Sequence, residues 1–475
     1  MGFPLLLSAV MGAGAKPKAS SQAQVAAGGS RYWVLVGAVL VQIVLGTIYA
    51  FSVFVQPLET EFGWARATIQ AAFSVALAMF ALAMIPAGRM QDRIGPRKVA
   101  IIGGVLLGVS FLLTPLLVNA FGYWGLYLSY GVIGGAGIGF GYVCPLAAAS
   151  KWFPDKKGLI TGIAVAGFGA GALFFAGPAS ALLLPPAEGE SLSLYQIIMV
   201  GMGLMPGEGS GIGWERFFIM HGVVAALLVI GGALLLRNPP AGWLPKGWTP
   251  SQSKAKVMSE KTPSEMLNTP LATIIWMTFI FGATSGLMAI GQWTPMIAEL
   301  GGNSSIAPVW LGTAFARFFT PVAILAIFNA GGRVFWGWAS DKIDRPRAMM
   351  IMFLAQGMAF MVLVSIKSPI GIVLASAWVG LNFGGIFSMF PSATSDYFGL
   401  KNFGANYGFI FTAYGVAGIM GPIVGGVIRD QTQEYILALV FAGILCFIAA
   451  LGAVVIWAQA RSERWRLEVE GDVSG

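Results

Sequence analysis

The sequence predicts an all-α membrane protein: 12 transmembrane helices in two pseudo-symmetric six-helix bundles, with the N and C termini cytoplasmic. Three observations predict it. Of 475 residues, 57% are hydrophobic and only 10% are charged, with a mean hydropathy of +0.77; ordinary soluble domains carry about 25% charged residues. The apolar residues fall into runs of membrane-spanning length, about 20 residues for a hydrocarbon core about 30 Å thick. Finally, the loops of the first half recur in the second.

Along the chain, residues 1–31 are expected to be a disordered cytoplasmic tail. MGFPLLLSAVMGAGA has no basic segment before its apolar stretch, so it reads as a tail and not a signal peptide. The runs that follow lie at 32–56, 68–88, 98–117, 122–149, 158–184 and 216–236, which form the first bundle (32–236). A proline-rich, basic loop over 237–269 is expected in the cytoplasm. The second bundle (270–460) has runs at 270–297, 309–338, 348–366, 369–395, 403–428 and 434–459, and 461–475 is read as a cytoplasmic tail. The loop Pro185–Gly213 is external. With the N terminus inside, 22 of the 28 Lys and Arg residues are cytoplasmic, 4 are external (Arg66, Arg216, Lys367, Arg429) and Arg317 and Arg333 lie within runs. That asymmetry is the positive-inside pattern. It explains the net charge of +8 and argues against nucleic acid as a partner; the partner is the lipid bilayer.

Cysteine and histidine usage excludes other chemistry. Cys144 and Cys446 both fall in apolar runs, and His221 is the sole histidine, so neither a disulfide framework nor a multi-histidine metal or haem site can be built. No cofactor and no metal are expected. No nucleotide loop or nucleophile–base pair marks an enzyme.

The repeat is specific. GRMQDRIGPRK (Gly88 to Lys98) recurs as GWASDKIDRPR (Gly337 to Arg347), at an offset of 249 residues. YVCPLAAASKWFPDKKGLITG recurs as SMFPSATSDYFGLKNFGANYG at an offset of 246, aligning Pro145 with Pro391, Gly158 with Gly404 and Gly162 with Gly408. Duplicated halves around a central loop are how many carriers are built. The glycines let helices approach closely, and each aspartate can hold a helix N terminus or an arginine as a cytoplasmic latch. The candidate gating residues are Gly88, Asp92, Arg93, Arg97, Asp341 and Arg345; the alternative for Asp92 and Arg93 is ordinary topology-setting charge.

On these residues the chain resembles the major facilitator superfamily, whose loop signature is matched by Gly88, Asp92, Arg93, Gly95 and Arg97, with Pro96 replacing a basic residue. GTIYAFSVF (Gly46 to Phe54), Asn329-x-x-x-Arg333 with the following GxxSD, and NYGFIFTAYGVAGIMGP (Asn406 to Pro422) are similar to the oxalate/formate antiporter family and its bacterial monocarboxylate transporter relatives. The resemblance implies that the eighth-span arginine, here Arg333, binds the substrate carboxylate. It also implies a bacterial inner-membrane location and, as expected state, a monomer.

The residues make the same case. Asp341, the first charged loop residue, is eight positions beyond Arg333, which places the guanidinium roughly 12 Å into the membrane at about 1.5 Å per residue. An arginine there costs about 2.5–3.5 kcal/mol on the lenient insertion scale and cannot deprotonate. It needs an anion, and a guanidinium offers two parallel donors to one carboxylate. Asn329, one turn earlier, is expected to donate a further hydrogen bond. Family members that carry oxalate have a lysine where this chain has Tyr414, whose repeat counterpart is Phe168. One fixed cation suits a monoanion such as lactate, pyruvate or formate. Tyr49, Tyr142, Tyr407, Tyr414, Phe168, Phe383 and Phe387 are the candidate cavity aromatics, with helix packing as the alternative for each.

Three polar residues read otherwise. Arg317 is expected to snorkel to the headgroups, His221 to cap or pack, and Asp396 to belong to a loop, with an intracellular gate pair as its alternative. Coupling is expected to be to protons, by resemblance. Yet mammalian relatives have an aspartate at the position of Asn329, which leaves the proton to the substrate carboxylate or to Glu59 or Glu61. Anion exchange is the alternative mechanism. A carboxylate sensor of the same fold is the alternative class, which usually adds a soluble domain larger than the central loop provides.

Overall fold

The computed structural model describes residues 21–183, 213–240, 243–245, 260–291, 293, 296, 321–366 and 368–473. Among the described residues there is no strand. The first half contains α1 (Ser21–Leu45), a 3-10 segment (Gly46–Phe54), α2 (Val55–Phe62), α3 (Arg66–Ile94), α4 (Pro96–Phe121), α5 (Tyr123–Leu126), a π-helical segment (Tyr127–Gly134), α6 (Gly135–Trp152), α7 (Lys157–Leu183) and α8 (Trp214–Leu235). The second contains α9 (Pro263–Leu267), α10 (Pro270–Gly291), α11 (Pro321–Ile343), α12 (Arg345–Leu363), α13 (Pro369–Phe398), α14 (Phe403–Thr432) and α15 (Ile436–Val473).

Eleven helices among the described residues are long and apolar enough to cross a membrane. α11, which carries Arg333, Asp341 and Lys342, occupies the place of the eighth run; the part of that run before Pro321, Arg317 included, lies outside the described residues. So does most of the Pro185–Gly213 loop. Helix starts follow local chemistry: Pro96 opens α4 directly after Gly95, whose φ of 89° reverses the chain in a conformation that favours glycine. Ser368 accepts the Gly371 amide hydrogen ahead of α13.

Three boundaries differ from expectation. α1 begins at Ser21, within the segment read as a disordered tail, because the small residues preceding the apolar run continue its helix. α15 continues to Val473, so the C-terminal tail prolongs the last helix. The central loop also has structure at both ends. Thr262 and Glu265 form a reciprocal capping box at α9, and the hydrogen bonds from Thr262 hold the Glu265 carboxyl below its usual range.

Each end of that loop is fastened to its own half. Trp152 Nε1 donates to the Arg237 carbonyl at 2.7 Å, and Trp243 packs edge-on to Trp152 with ring centres 4.8 Å apart. At the other end, the Glu260 carboxylate accepts from the amides of Leu400 and Lys401, and the Lys261 carbonyl accepts from the side chains of Asn402 and Asn406.

The halves meet at two crossings related by the repeat: α3 packs on α14 and α7 on α11. A Cβ built on Gly88 would lie 1.9 Å from the Gly404 carbonyl oxygen, and one on Gly337 would lie 2.2 Å from that of Gly158. Four glycines, in two pairs that the duplication exchanges, therefore allow backbone-to-backbone contact that no side chain would permit.

Candidate functional site

Two carboxylates lie over those crossings. Asp92, on α3, accepts hydrogen bonds from the amides of Gly404 and Ala405 at 3.1 and 2.8 Å. Asp341, on α11, accepts from Gly158 and Leu159, both at 2.9 Å. Each thus holds the first turn of a helix in the opposite half, where unpaired N–H groups and the helix dipole favour an anion.

The second arrangement is the more elaborate, although its sequence copy is the weaker. Arg345 pairs with Asp341 at 2.6 Å and with Asp396 at 2.9 Å, and Lys157 of the first half reaches Asp396 at 3.0 Å. Asp396, read as a loop residue, is in α13 and joins both halves; charges from three separate segments converge there. Arg93 is exposed and stands outside this contact. Arg97 donates to the Leu236 carbonyl at 3.3 Å, a tie within the first half and not between halves.

Arg333 is fully buried. Its Nε donates to Asn329 Oδ1 at 3.1 Å, and its Nη1 donates across the interface to the backbone carbonyl of Val165 on α7 at 2.9 Å. Nη2 has no hydrogen-bond partner among the described residues. Asn329 accepts from Arg333 through Oδ1, and the i, i+4 spacing turns it toward the guanidinium; its Nδ2 is a separate donor. The Phe387 ring lies 4.3 Å beneath the guanidinium carbon and that of Phe168 at 5.8 Å.

Val165 is reachable because of Gly169. In a helix, the side chain at i+4 stacks over the turn holding residue i, and a Cβ on Gly169 would come within 3.0 Å of Arg333 Nε and 3.1 Å of Asn329 Oδ1. No sequence signal marks a backbone acceptor, so Val165 was missed.

Tyrosines surround this centre. Tyr49, in the 3-10 segment, and Tyr414, on α14, share a hydrogen bond of 2.9 Å between their hydroxyls. Tyr142 and Tyr407 are fully buried, and their hydroxyls interact with each other but meet no partner at full hydrogen-bond geometry among the described residues. All four lie within electrostatic reach of Arg333. The structure thus brings together Arg333, Asn329, Tyr49, Tyr142, Tyr407, Tyr414, Phe168 and Phe387. Phe383 stands a layer behind, packing edge-on to Phe387 and against Gly286.

Two rings were overlooked. Phe411 touches Phe80, Tyr142, Tyr407 and Tyr414, with ring centres 4.9–5.7 Å apart. It shares a helix face with Tyr407 and Tyr414 at spacings of four and three, a signal that was there to be read; Phe80 carries none. His221 packs among Phe111, Phe175 and Phe217, the packing role expected of it. Among the described residues, no group of His, Cys, Asp and Glu could hold a metal.

Comparison with known proteins places these features in context. The model of the Major Facilitator Superfamily matches residues 35–422 and 320–472. The oxalate:formate antiporter of Oxalobacter formigenes is 29% identical over 437 residues, covering 90% of this chain and 92% of that one. The apicoplast pyruvate carrier 1 of Toxoplasma gondii is 29% identical over 360 residues, covering 70% and 64%. Among solved structures, that of the proton:xylose symporter XylE has a TM-score of 0.64 at 16% identity, over 89% of this chain and 95% of that chain.

Two outcomes follow from the geometry. Gly169→Ala is expected to destabilise the fold by about 1.5–3 kcal/mol, because the new methyl displaces a charged hydrogen bond of Arg333. Gly418→Ala, whose methyl would meet only Leu77 at 3.9 Å, leaves stability unchanged; thermal unfolding in detergent checks both. Asp341→Asn is expected to raise the cytoplasmic labelling rate of a single cysteine beneath α7 and α11 by about tenfold, the population shift that about 1.4 kcal/mol produces.

Proposed function

The chain belongs to the Major Facilitator Superfamily, and on that premise we propose that this multi-pass membrane transporter carries small monocarboxylates, lactate and pyruvate above all, by alternating access in proton symport. The observation that carries the reading is Arg333: a buried cation between the halves, with Nη2 unpartnered among the described residues and, nearby, two tyrosine hydroxyls that face each other. A carboxylate docking on the Nη2 edge would gain a charge-assisted bond and neutralise the guanidinium. Hydroxyls of Tyr142 and Tyr407 would bind its remaining oxygens, while Phe168, Phe387 and Phe411 exclude water.

In this mechanism the Arg333–Val165 bond ties substrate to gating. One partner is in each half, so separating α7 from α11 breaks it. Asp92 and Asp341 hold the cytoplasmic crossings, and releasing them lets the halves rock the other way. The names of the relatives support the substrate class, and the bacterial relative favours a bacterial inner membrane. Proton coupling rests on the resemblance to monocarboxylate transporters.

Anion exchange of the oxalate:formate kind is the second reading, favoured by the extent of the match to that antiporter. The Tyr49–Tyr414 pair argues against oxalate itself, because a dianion facing one arginine would keep a charge unpaired in an apolar site.

Uptake of labelled lactate, pyruvate, formate and oxalate into proteoliposomes tests the proposal. Lactate and pyruvate uptake is expected to accelerate under an inward proton gradient. Arg333→Lys, which keeps the charge but loses the planar fork, is expected to reduce it by about 100-fold, as loss of roughly 3 kcal/mol of charged hydrogen bonding implies. Tyr414→Lys is expected to admit oxalate and to impair lactate. Oxalate uptake without monocarboxylate uptake would sink the substrate assignment, and uptake that ignores pH but requires internal anion would replace symport by exchange.

A further inference from the structure

A small, mostly apolar cavity with three polar side chains in its lining lies in the second bundle, apart from the Arg333 centre. It measures about 10 Å³ and is lined by Ser285 on α10, Met352, Phe353 and Gln356 on α12, and Asn382 and Phe383 on α13. Gln356 is 4% exposed and Asn382 is 1% exposed. Both ends of the Gln356 amide, and Nδ2 of Asn382, have no hydrogen-bond partner among the described residues. The remaining polar groups are committed: Asn382 Oδ1 accepts from Trp336 Nε1 at 3.1 Å, and the Ser285 hydroxyl donates to the Gly282 carbonyl and accepts from Cys446 Sγ.

We infer that this cavity is a binding site for a single water molecule, bridging Gln356 on α12 to Asn382 on α13. Buried amides in apolar surroundings need partners, and a cavity of this size with polar groups on several sides meets the requirement for one water. The water accepts from Asn382 Nδ2 and donates to, or accepts from, the Gln356 amide. No carboxylate lines the cavity to hold a cation, and no cationic side chain lines it to hold an anion. Glycine makes the room: a Cβ on Gly282 would collide with Phe353, and one on Gly286 with Phe383.

The site has a mechanical consequence. Phe383 walls the cavity on one side and packs edge-on to Phe387 on the other, with ring centres 5.5 Å apart. Phe387 in turn supports the guanidinium of Arg333. The bridging water therefore props the floor of the central site from behind, as part of the second bundle.

Synchrotron hydroxyl-radical footprinting in ¹⁸O water tests the inference on the full-length protein in detergent, with no substrate. Radicals formed from a bound water oxidise side chains beside it even where bulk solvent cannot reach. Met352 at 1% exposure and Met349 at 0% are equally buried, but only Met352 lines the cavity. Oxidation of Met352 at least fivefold above Met349 is the expected result, falling to the Met349 level in the double variant Gln356→Leu, Asn382→Leu. Equal, background oxidation of the two methionines in the wild-type protein overturns the proposal, whether or not the variant folds. The measurement is independent of any carboxylate, so its failure would leave the reading of the Arg333 site standing.

Discussion

A guanidinium that cannot lose its proton is fixed in the apolar middle of this molecule, and its surroundings are arranged around that fact. A nearby carboxylate would neutralise Arg333 permanently and compete with any carried anion. The site instead uses weaker partners: an amide oxygen on its own helix, a peptide carbonyl on the facing helix and the faces of two rings. These stabilise the cation by dipole and quadrupole without cancelling its charge. The repeat sharpens the point. At the offset of 249 residues, Arg333 corresponds to Met84, and the two occupy equivalent crossings, the Arg333 carbonyl facing Gly162 and that of Met84 facing Gly408. Duplication supplied the scaffold twice and the charge once.

The two crossings show the same departure from symmetry. Both crossings have a glycine pair and an aspartate over a helix start, but among the described residues the α7–α11 crossing alone adds an ion-pair network, of Arg345, Lys157 and Asp396. That crossing also carries Arg333, so the charge network and the central cation act on one pair of helices. The α3–α14 crossing has the simpler contact. Its aspartate joins the second half through peptide amides, so that junction depends on backbone geometry and not on which side chains lie opposite.

Much of this was legible in the sequence, for a physical reason. Apolar runs, positive-inside charge and glycine-aspartate loops are local signals, and burying arginine in a membrane is so costly that one residue marks the centre. Elements composed across the interface were not legible. The carbonyl of Val165 has no side-chain signature, and the convergence of Lys157, Arg345 and Asp396 depends on how three loops meet. Asn329 lies on the expected face, and its contact with Arg333 through Oδ1 is a detail that spacing does not fix, since spacing sets direction and not which atom of an amide points at the neighbour. The start of α1 was misjudged because Ala-, Gln- and Ser-rich sequence supports helix as readily as disorder when an apolar helix follows directly.

The fastening of the central loop bears on how force passes through the molecule. Its first residues are held to the first half by Trp152, and its last to the second by the side chains of Asn402 and Asn406. Only residues 246–259 therefore connect one anchored end to the other. The two ends of the central segment are thus clamped to separate bodies. Among the described residues the halves are aligned by helix packing, chiefly at the two crossings, so each half carries its own strap and force between them passes through the helices.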